Sequence, residues 1–232
     1  MKRLFLIALA ACASASVLAQ STHNSAGQPN TLTAQEKQEG WVLLFDGKTL
    51  DGWNVTPNLA KVWIVADGAI KTDAKAGSGT MYTKKEFTNF VLRAEFRADS
   101  AINSGIILRQ PPAQPAPPPG QKPTPPPGGP GYELQIRDKN PGNYSGGDFL
   151  TGSIVNVAKA PPDVKILQGQ WNTIETTVDG DHFVVVYNGK KVADGHDARR
   201  SSGSIGLQLA HPEDATDANI EFRNLKLKEL KK

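Results

Sequence analysis

Polarity alternates residue by residue along short stretches of this chain, and that period of two restricts its fold more than any other feature. Phe90, Leu92, Ala94 and Phe96 are interleaved with Val91, Arg93, Glu95 and Arg97, and Tyr132, Leu134 and Ile136 with Glu133, Gln135 and Arg137. Side chains point to opposite faces of a strand in turn, so each run has one apolar and one polar face. His182–Tyr187, Asn188-Gly189 and Lys190–Val192 read as a hairpin, because Asn-Gly supplies the positive φ of a tight turn. Asp67-Gly68 and Asp179-Gly180 repeat the device. Further strands are expected at 42–45, 62–66, 69–71, 81–83, 105–109, 173–178, 204–210 and 219–227, and no long stretch has helical periodicity. Many short strands separated by turns predict an all-β domain, a sandwich or barrel.

The segment between Arg109 and Tyr132 breaks the pattern. It holds eleven of the chain's seventeen prolines. Proline has no N–H for a sheet ladder, so residues 110–130 form an extended, polyproline-like insertion at a sheet edge, read as an expanded exposed loop.

The N-terminus reads as an address. Met1-Lys2-Arg3, the apolar run Leu4–Ala11 and Val17-Leu18-Ala19 make residues 1–19 a signal peptide and place the protein in the periplasm or cell envelope. Leu9-Ala10-Ala11-Cys12 also matches the box at which bacterial lipoproteins are cut and acylated, so a lipid anchor on Cys12 is an alternative to a soluble product. The apolar run is too short for a transmembrane helix. Residues 20–38 read as a flexible tether rich in Ser, Gln and Asn, and 39–231 as one domain. Cys12 is the one cysteine, which excludes disulfides and cysteine metal sites in the domain. Of 26 Lys and Arg, Lys2 and Arg3 belong to the signal, leaving 24 against 23 Asp and Glu. That balance argues against a nucleic-acid partner.

Among neighbouring strands the polar faces would carry Arg109, Glu133, Gln135, Gln208, Glu95, Glu221 and Arg223. Such a face is either an ordinary solvated sheet surface or a platform for a polyhydroxylated ligand, since Arg, Glu and Gln offer paired donors and acceptors. His211 ends the strand carrying Gln208, which singles it out; His23, His182 and His196 receive no role. Trp41, Trp53, Trp63 and Trp171 lie in or beside apolar runs, so core packing is expected of all four.

Nine segments then recur in a familiar order: Phe45–Trp53, Glu95-Phe96-Arg97, Asn103–Arg109, Gly131–Asp138, Thr151–Ile154, Trp171-Asn172-Thr173, Tyr187-Asn188-Gly189, Gly206-Leu207-Gln208 and Phe222-Arg223-Asn224. On these the chain resembles the bacterial 3-keto-disaccharide hydrolase family (3-keto-glucoside 1,2-lyase/3-keto-2-hydroxy-glucal hydratase domains), from about Glu39 to Lys228. The resemblance implies a concanavalin A-like jelly-roll β-sandwich of two antiparallel sheets, and an exported enzyme whose partner is an oxidised, 3-keto sugar. The proline-rich insertion and Ala210-His211-Pro212 depart from the family pattern.

The chemistry implied is elimination followed by hydration. A ketone at carbon 3 acidifies the hydrogen on carbon 2; a base removes it, the glycosidic oxygen leaves carbon 1, and water adds across the glucal. In that scheme Glu133 is the base, His211 the acid or enolate stabiliser, and Arg109 a clamp on the ketone oxygen. Gln135, Gln208 and Asn103 hold hydroxyls, Asp138 supports the base or a metal, and Glu95 is a further candidate. No cofactor is required, and a divalent metal could replace the arginine as electrophile. The main alternative is a non-catalytic carbohydrate-binding or adhesion module on the same sandwich. A laminarinase-type glycanase is disfavoured, because no Glu-x-Asp-x-Glu triplet occurs.

Overall fold

The computed structural model describes residues 28–99, 101–113, 117–118, 120–122, 124, 126–138, 149–210 and 218–231. The expected signal, Cys12 as the alternative acylation point and residues 20–27 of the expected tether lie outside this set. Along the chain run α1 (Ala34–Gln38), β1 (Trp41–Leu43), β2 (Trp53–Asn54), α2 (Leu59–Val62), β3 (Trp63–Ala66), β4 (Ala69–Thr72) and β5 (Gly79–Phe87). Then follow β6 (Phe90–Ala98), β7 (Asn103–Gln110), β8 (Tyr132–Ile136), β9 (Asn172–Asp179), β10 (His182–Tyr187), β11 (Lys190–His196), β12 (Gly203–Ala210) and β13 (Ile220–Glu229).

These strands form two antiparallel sheets packed face to face, a jelly-roll β-sandwich. One sheet has eight strands in the order β11-β10-β9-β6-β13-β4-β3, with β1 beside β13; the other has five, β2-β5-β12-β7-β8. The alternation expected of Phe90–Arg97 holds: Phe90, Leu92, Ala94 and Phe96 are buried. They join Ile106, Leu108, Tyr132, Leu134, Phe183, Leu207 and Phe222 in the continuous core between the sheets. Burying each of these Leu, Ile and Phe side chains contributes about 1.5–3 kcal/mol. Tyr132 and Phe183 bridge the two sheets, with ring centroids 4.5 Å apart.

The turns match their residues with one displacement. Asn188 and Gly189 have φ of 45° and 81°, and Asp67 and Gly68 of 52° and 70°, as a two-residue hairpin with both central φ positive requires. At the third turn Asp179 still pairs with His182, so the turn is Gly180-Asp181, one residue later than expected. Glycine then stands first of the central pair, where its φ is 60°.

Two expectations are corrected. The tether does not extend to residue 38, because Asn30 is clasped into the sandwich. Its backbone N–H donates to Asn224 Oδ1 (2.6 Å), the Asn224 N–H donates to Asn30 Oδ1 (2.8 Å), and Asn30 Nδ2 reaches the Gly68 carbonyl (2.7 Å). The next segment is the short helix α1, whose Thr33 and Glu36 form a reciprocal capping box and whose Glu36 accepts from Lys226 Nζ at 2.8 Å. Asn30→Ala should therefore lower stability by about 1–3 kcal/mol, because the loss strands buried backbone groups, and should move the urea midpoint down at unchanged slope.

Trp171 is the second correction. Trp53 and Trp63 are core residues, whereas Trp171 lies half-buried under the Arg223 and Arg97 guanidinium groups, 4.0 and 4.9 Å from its ring. Trp41 is buried, but by Arg93 at 4.2 Å and Lys228 at 5.2 Å, outside the core cluster. On the outer face of the eight-stranded sheet, cation–aromatic contacts stand where core packing was expected.

Candidate functional site

The outward side chains of the five-stranded sheet form two rows across it. In one, Asn54 pairs with Tyr82, Tyr82 with Gly206, Gly206 with Ile107 and Ile107 with Glu133. In the next, Thr80 pairs with Gln208, Gln208 with Gly105 and Gly105 with Gln135. Two glycines thus strip the middle of this face, and larger neighbours lean over them. A Cβ at Gly206 would stand 2.6 Å from Tyr82 Cε1, and one at Gly105 would stand 3.2 Å from Glu133 Cγ and 3.3 Å from its Oε1. The phenol ring, the carboxylate and Gln208 are thereby gathered over a glycine floor.

The electrostatics of this patch suit proton transfer. Burial raises the pKa of Glu133 above that of an ordinary carboxylate, opposed by the positive charge of Arg137 and by a hydrogen bond from the Gln208 side chain. Burial also raises the pKa of the Tyr82 phenol, and the Glu133 charge adds to the rise, while a hydrogen bond with Thr80 opposes it. The phenol stays protonated at neutral pH and can give a proton; the half-buried carboxylate can take one. Gln208 Oε1 is buried and has no hydrogen-bond partner among the described residues. A buried acceptor left unmet marks a place where a donor from a ligand fits.

The other expected site residues scatter, for identifiable reasons. Gln135 and Asn103 share the outward face, but are 2% and 5% exposed, and Gln135 Oε1 accepts from the Ile136 N–H at 3.1 Å. His211, the expected acid, lies outside the described residues. Arg109 has the right parity to join Glu133, yet its φ is 53° and the β7–β12 register slips beside it. That bulge turns the side chain into the interior. There it is fully buried, donating to the Thr88 carbonyl (2.8 and 2.5 Å), the Gly180 carbonyl (2.7 Å), the Arg200 carbonyl (2.8 Å) and Asn89 Oδ1 (3.1 Å). Every strong donor direction is taken, so the clamp assigned to Arg109 is corrected to a tie between loops.

Asp138 and Glu95 are likewise corrected. Asp138 Oδ1 accepts from the Thr151 hydroxyl at 3.0 Å, and its two oxygens take the Ile166 N–H at 3.1 and 2.9 Å; it fastens the segment after β8. Glu95 belongs to β6 in the other sheet, where it accepts from Arg223 Nε at 2.7 Å and Asn224 Nδ2 at 2.9 Å. The polar runs of β6 and β13 face away from those of β7, β8 and β12, because the two groups of strands belong to opposite sheets. As for a metal, one group of three ligating side chains close enough to share an ion occurs among the described residues, and it is His182, Asp194 and His196 rather than any set around Glu133.

Two neighbouring segments frame the patch. Thr151–Val155 covers the free edge of β8, with Thr151 N–H bonded to the Arg137 carbonyl, Gln135 N–H to Ser153 and Val155 N–H to Glu133. The proline-rich insertion links β7 to β8, and apart from Gln110, which ends β7, its described residues form no strand, as its composition requires. Its returning limb is held by Arg200, whose guanidinium donates to the Pro127 and Gly129 carbonyls.

Comparison with known proteins adds to this geometry. Residues 40–228 match the model of the 3-keto-alpha-glucoside-1,2-lyase-like domain. A 3-keto-disaccharide hydrolase of Bacteroides thetaiotaomicron is 25% identical over an alignment of 184 positions that covers 74% of this chain and 63% of that protein. The chain therefore spans less than two thirds of that relative. Among solved structures, a candidate glycosyl hydrolase of Parabacteroides distasonis superposes with a TM-score of 0.69 at 23% identity, covering 88% of this chain and all of that one. A second from the same organism gives 0.60 at 24%, covering 82% and 99%. Both show the same sandwich.

Proposed function

The chain belongs to the family of 3-keto-alpha-glucoside-1,2-lyase-like domains, and from that premise we propose that it is an exported enzyme that cleaves 3-keto-glycosides by elimination and rehydration. The observation that carries the reading is the patch itself: a half-buried Glu133 of raised pKa and a protonated Tyr82, gathered over Gly105 and Gly206 beside the unmet Gln208 acceptor. A carboxyl whose pKa moves toward neutrality abstracts a carbon acid's proton better than an ordinary exposed one.

In the proposed sequence Glu133 takes the proton from carbon 2 of the keto-sugar, and the electron pair forms the enolate. The enolate collapses to the carbon 1–carbon 2 double bond as the carbon 1–oxygen bond breaks, and the departing alkoxide takes the Tyr82 phenolic proton. Water then adds, its hydroxide to carbon 1 and a proton from Glu133 to carbon 2, while Tyr82 recovers its proton from the same water. The net reaction is hydrolysis. Gln208 Oε1 would accept a sugar hydroxyl, and Gln208 also steadies the base. The N-terminal segment supports export, and the named relative supports a sugar substrate.

The test is turnover in deuterium oxide with a 3-keto-glucoside and, in parallel, its unoxidised parent. The expected product is 3-keto-glucose carrying deuterium at carbon 2, with the parent untouched. Cleavage with neither deuterium uptake nor a primary isotope effect on a substrate deuterated at carbon 2 would mean direct displacement at carbon 1, and binding without cleavage would establish the sugar-binding module instead. Tyr82→Phe should slow release of an alkyl alcohol by about 10²-fold and leave release of an acidic phenol nearly unchanged, because only the poor leaving group needs the proton.

A further inference from the structure

The open end of the β10–β11 hairpin carries a set of side chains that neither the fold nor the proposed reaction uses. His182 and His196 stand directly opposite each other in the ladder, and Asp194 is two residues before His196 on the same face. The two imidazole rings lie parallel, 6° apart in plane and 4.4 Å between centroids. His182 Nε2 is 2.7 Å from Asp194 Oδ1, and His196 Nδ1 is 3.3 Å from Asp181 Oδ1. One ligand atom from each of His182, Asp194 and His196 lies within 4.8 Å of the others.

From this geometry we infer that His182, Asp194 and His196 form a surface site for a divalent transition-metal ion of the zinc type. Two imidazoles and one carboxylate are the donor set of such ions, whereas calcium and magnesium call for oxygen alone. In a tetrahedral site with metal–ligand distances near 2.0–2.1 Å the ligand atoms stand about 3.3 Å apart, so the present spread closes through side-chain rotation with the ladder intact. Water takes the fourth position. Asp181 supplies the outer partner found behind many metal-bound histidines: it accepts from one ring nitrogen of His196 and leaves the other for the ion. Lys191 is the built-in competitor, its ammonium 2.8 Å from Asp194 Oδ2.

The site differs in kind and place from the Glu133 patch. It lies on the eight-stranded sheet, where β11 is an end strand hydrogen-bonded on one side only, and an ion bound there would clip that strand to β10. Its role would be structural, so its test is independent of any sugar chemistry.

The experiment uses the full chain without an affinity tag, treated with chelator and dialysed, then titrated with zinc chloride by calorimetry and by thermal unfolding. One equivalent should bind, and at a free zinc concentration about 100 times the dissociation constant the folded-to-unfolded ratio should rise about 100-fold, reversed by chelator. His182→Gln and His196→Gln should each weaken binding at least about tenfold, since each removes one ligand. Lys191→Met should strengthen it by freeing the carboxylate. Lack of stoichiometric binding at about 0.1 mM zinc would overturn the inference. So would an unchanged zinc response in the His182→Gln/His196→Gln double variant, which would place binding at His23, His211 or elsewhere.

Discussion

Glutamine in place of Glu133 is expected to reduce turnover of a 3-keto-glucoside by about 10²–10⁴-fold while the melting temperature holds or rises. The two halves of that expectation have one cause. The pKa of Glu133 is raised, with burial the largest contribution, so the folded state binds its proton more tightly than the unfolded chain does. A carboxyl raised in this way favours folding most when protonated, below its unfolded pKa, and that contribution is lost as pH climbs through the folded value. At neutral pH the native protein therefore holds a charge that is unfavourable to stability, and an isosteric amide removes it. The base works only when ionised, so turnover in the native protein should rise with pH through a midpoint above 4.5, the ordinary carboxylate value. A pH–rate profile checks this, and the rising limb should vanish in the Glu133→Gln protein. A variant with full activity would remove Glu133 from the reaction.

Arg109→Met should behave in the opposite way, with a large loss of stability and little change in rate per folded molecule. The guanidinium ties the Thr88, Gly180 and Arg200 carbonyls together with Asn89, joining the β5–β6, β9–β10 and β11–β12 connections at one end of the sandwich. Methionine fills the stem volume but leaves those buried acceptors without a donor. Each buried acceptor left without its donor costs about 1–3 kcal/mol, so stranding several of them together should cost about 3–5 kcal/mol. For a domain of this size that corresponds to a fall of roughly 6–20 °C in melting temperature. Lysine would rescue only part of it, because one ammonium cannot span four acceptors held in a planar fork. Calorimetry on both variants, with activity normalised to folded protein, decides between tie and clamp. A selective loss of rate at unchanged stability would return Arg109 to the reaction.

The pair shows where sequence reading reaches and where it stops. Alternation in Phe90–Arg97 and Tyr132–Arg137 is a local property, and it placed the core side chains and the outward position of Glu133 correctly. The capping box of Thr33 and Glu36 is an equally local motif, and it marks a helix start inside the expected tether. What alternation does not contain is partnership between distant strands. Glu95 and Glu133 each sit on a polar face, and only the sheet order reveals that the two faces point away from each other. Arg109 has the parity of a site residue, and one positive φ at a bulge removes it. Tyr82 was missed for the same reason. Its place near Glu133 depends on β5 lying beside β12, and on glycine at 206 and 105 letting two side chains lean inward.

The Asn30–Asn224 clasp has an orienting consequence. It docks the beginning of the domain near Glu95, at the back of the sandwich, while Glu133 and Tyr82 look out from the front. Whatever grips this chain upstream of Asn30 therefore pulls on the rear wall. An enzyme moored in that fashion would present its working surface to the surrounding medium, where incoming glycosides arrive, rather than to its own support.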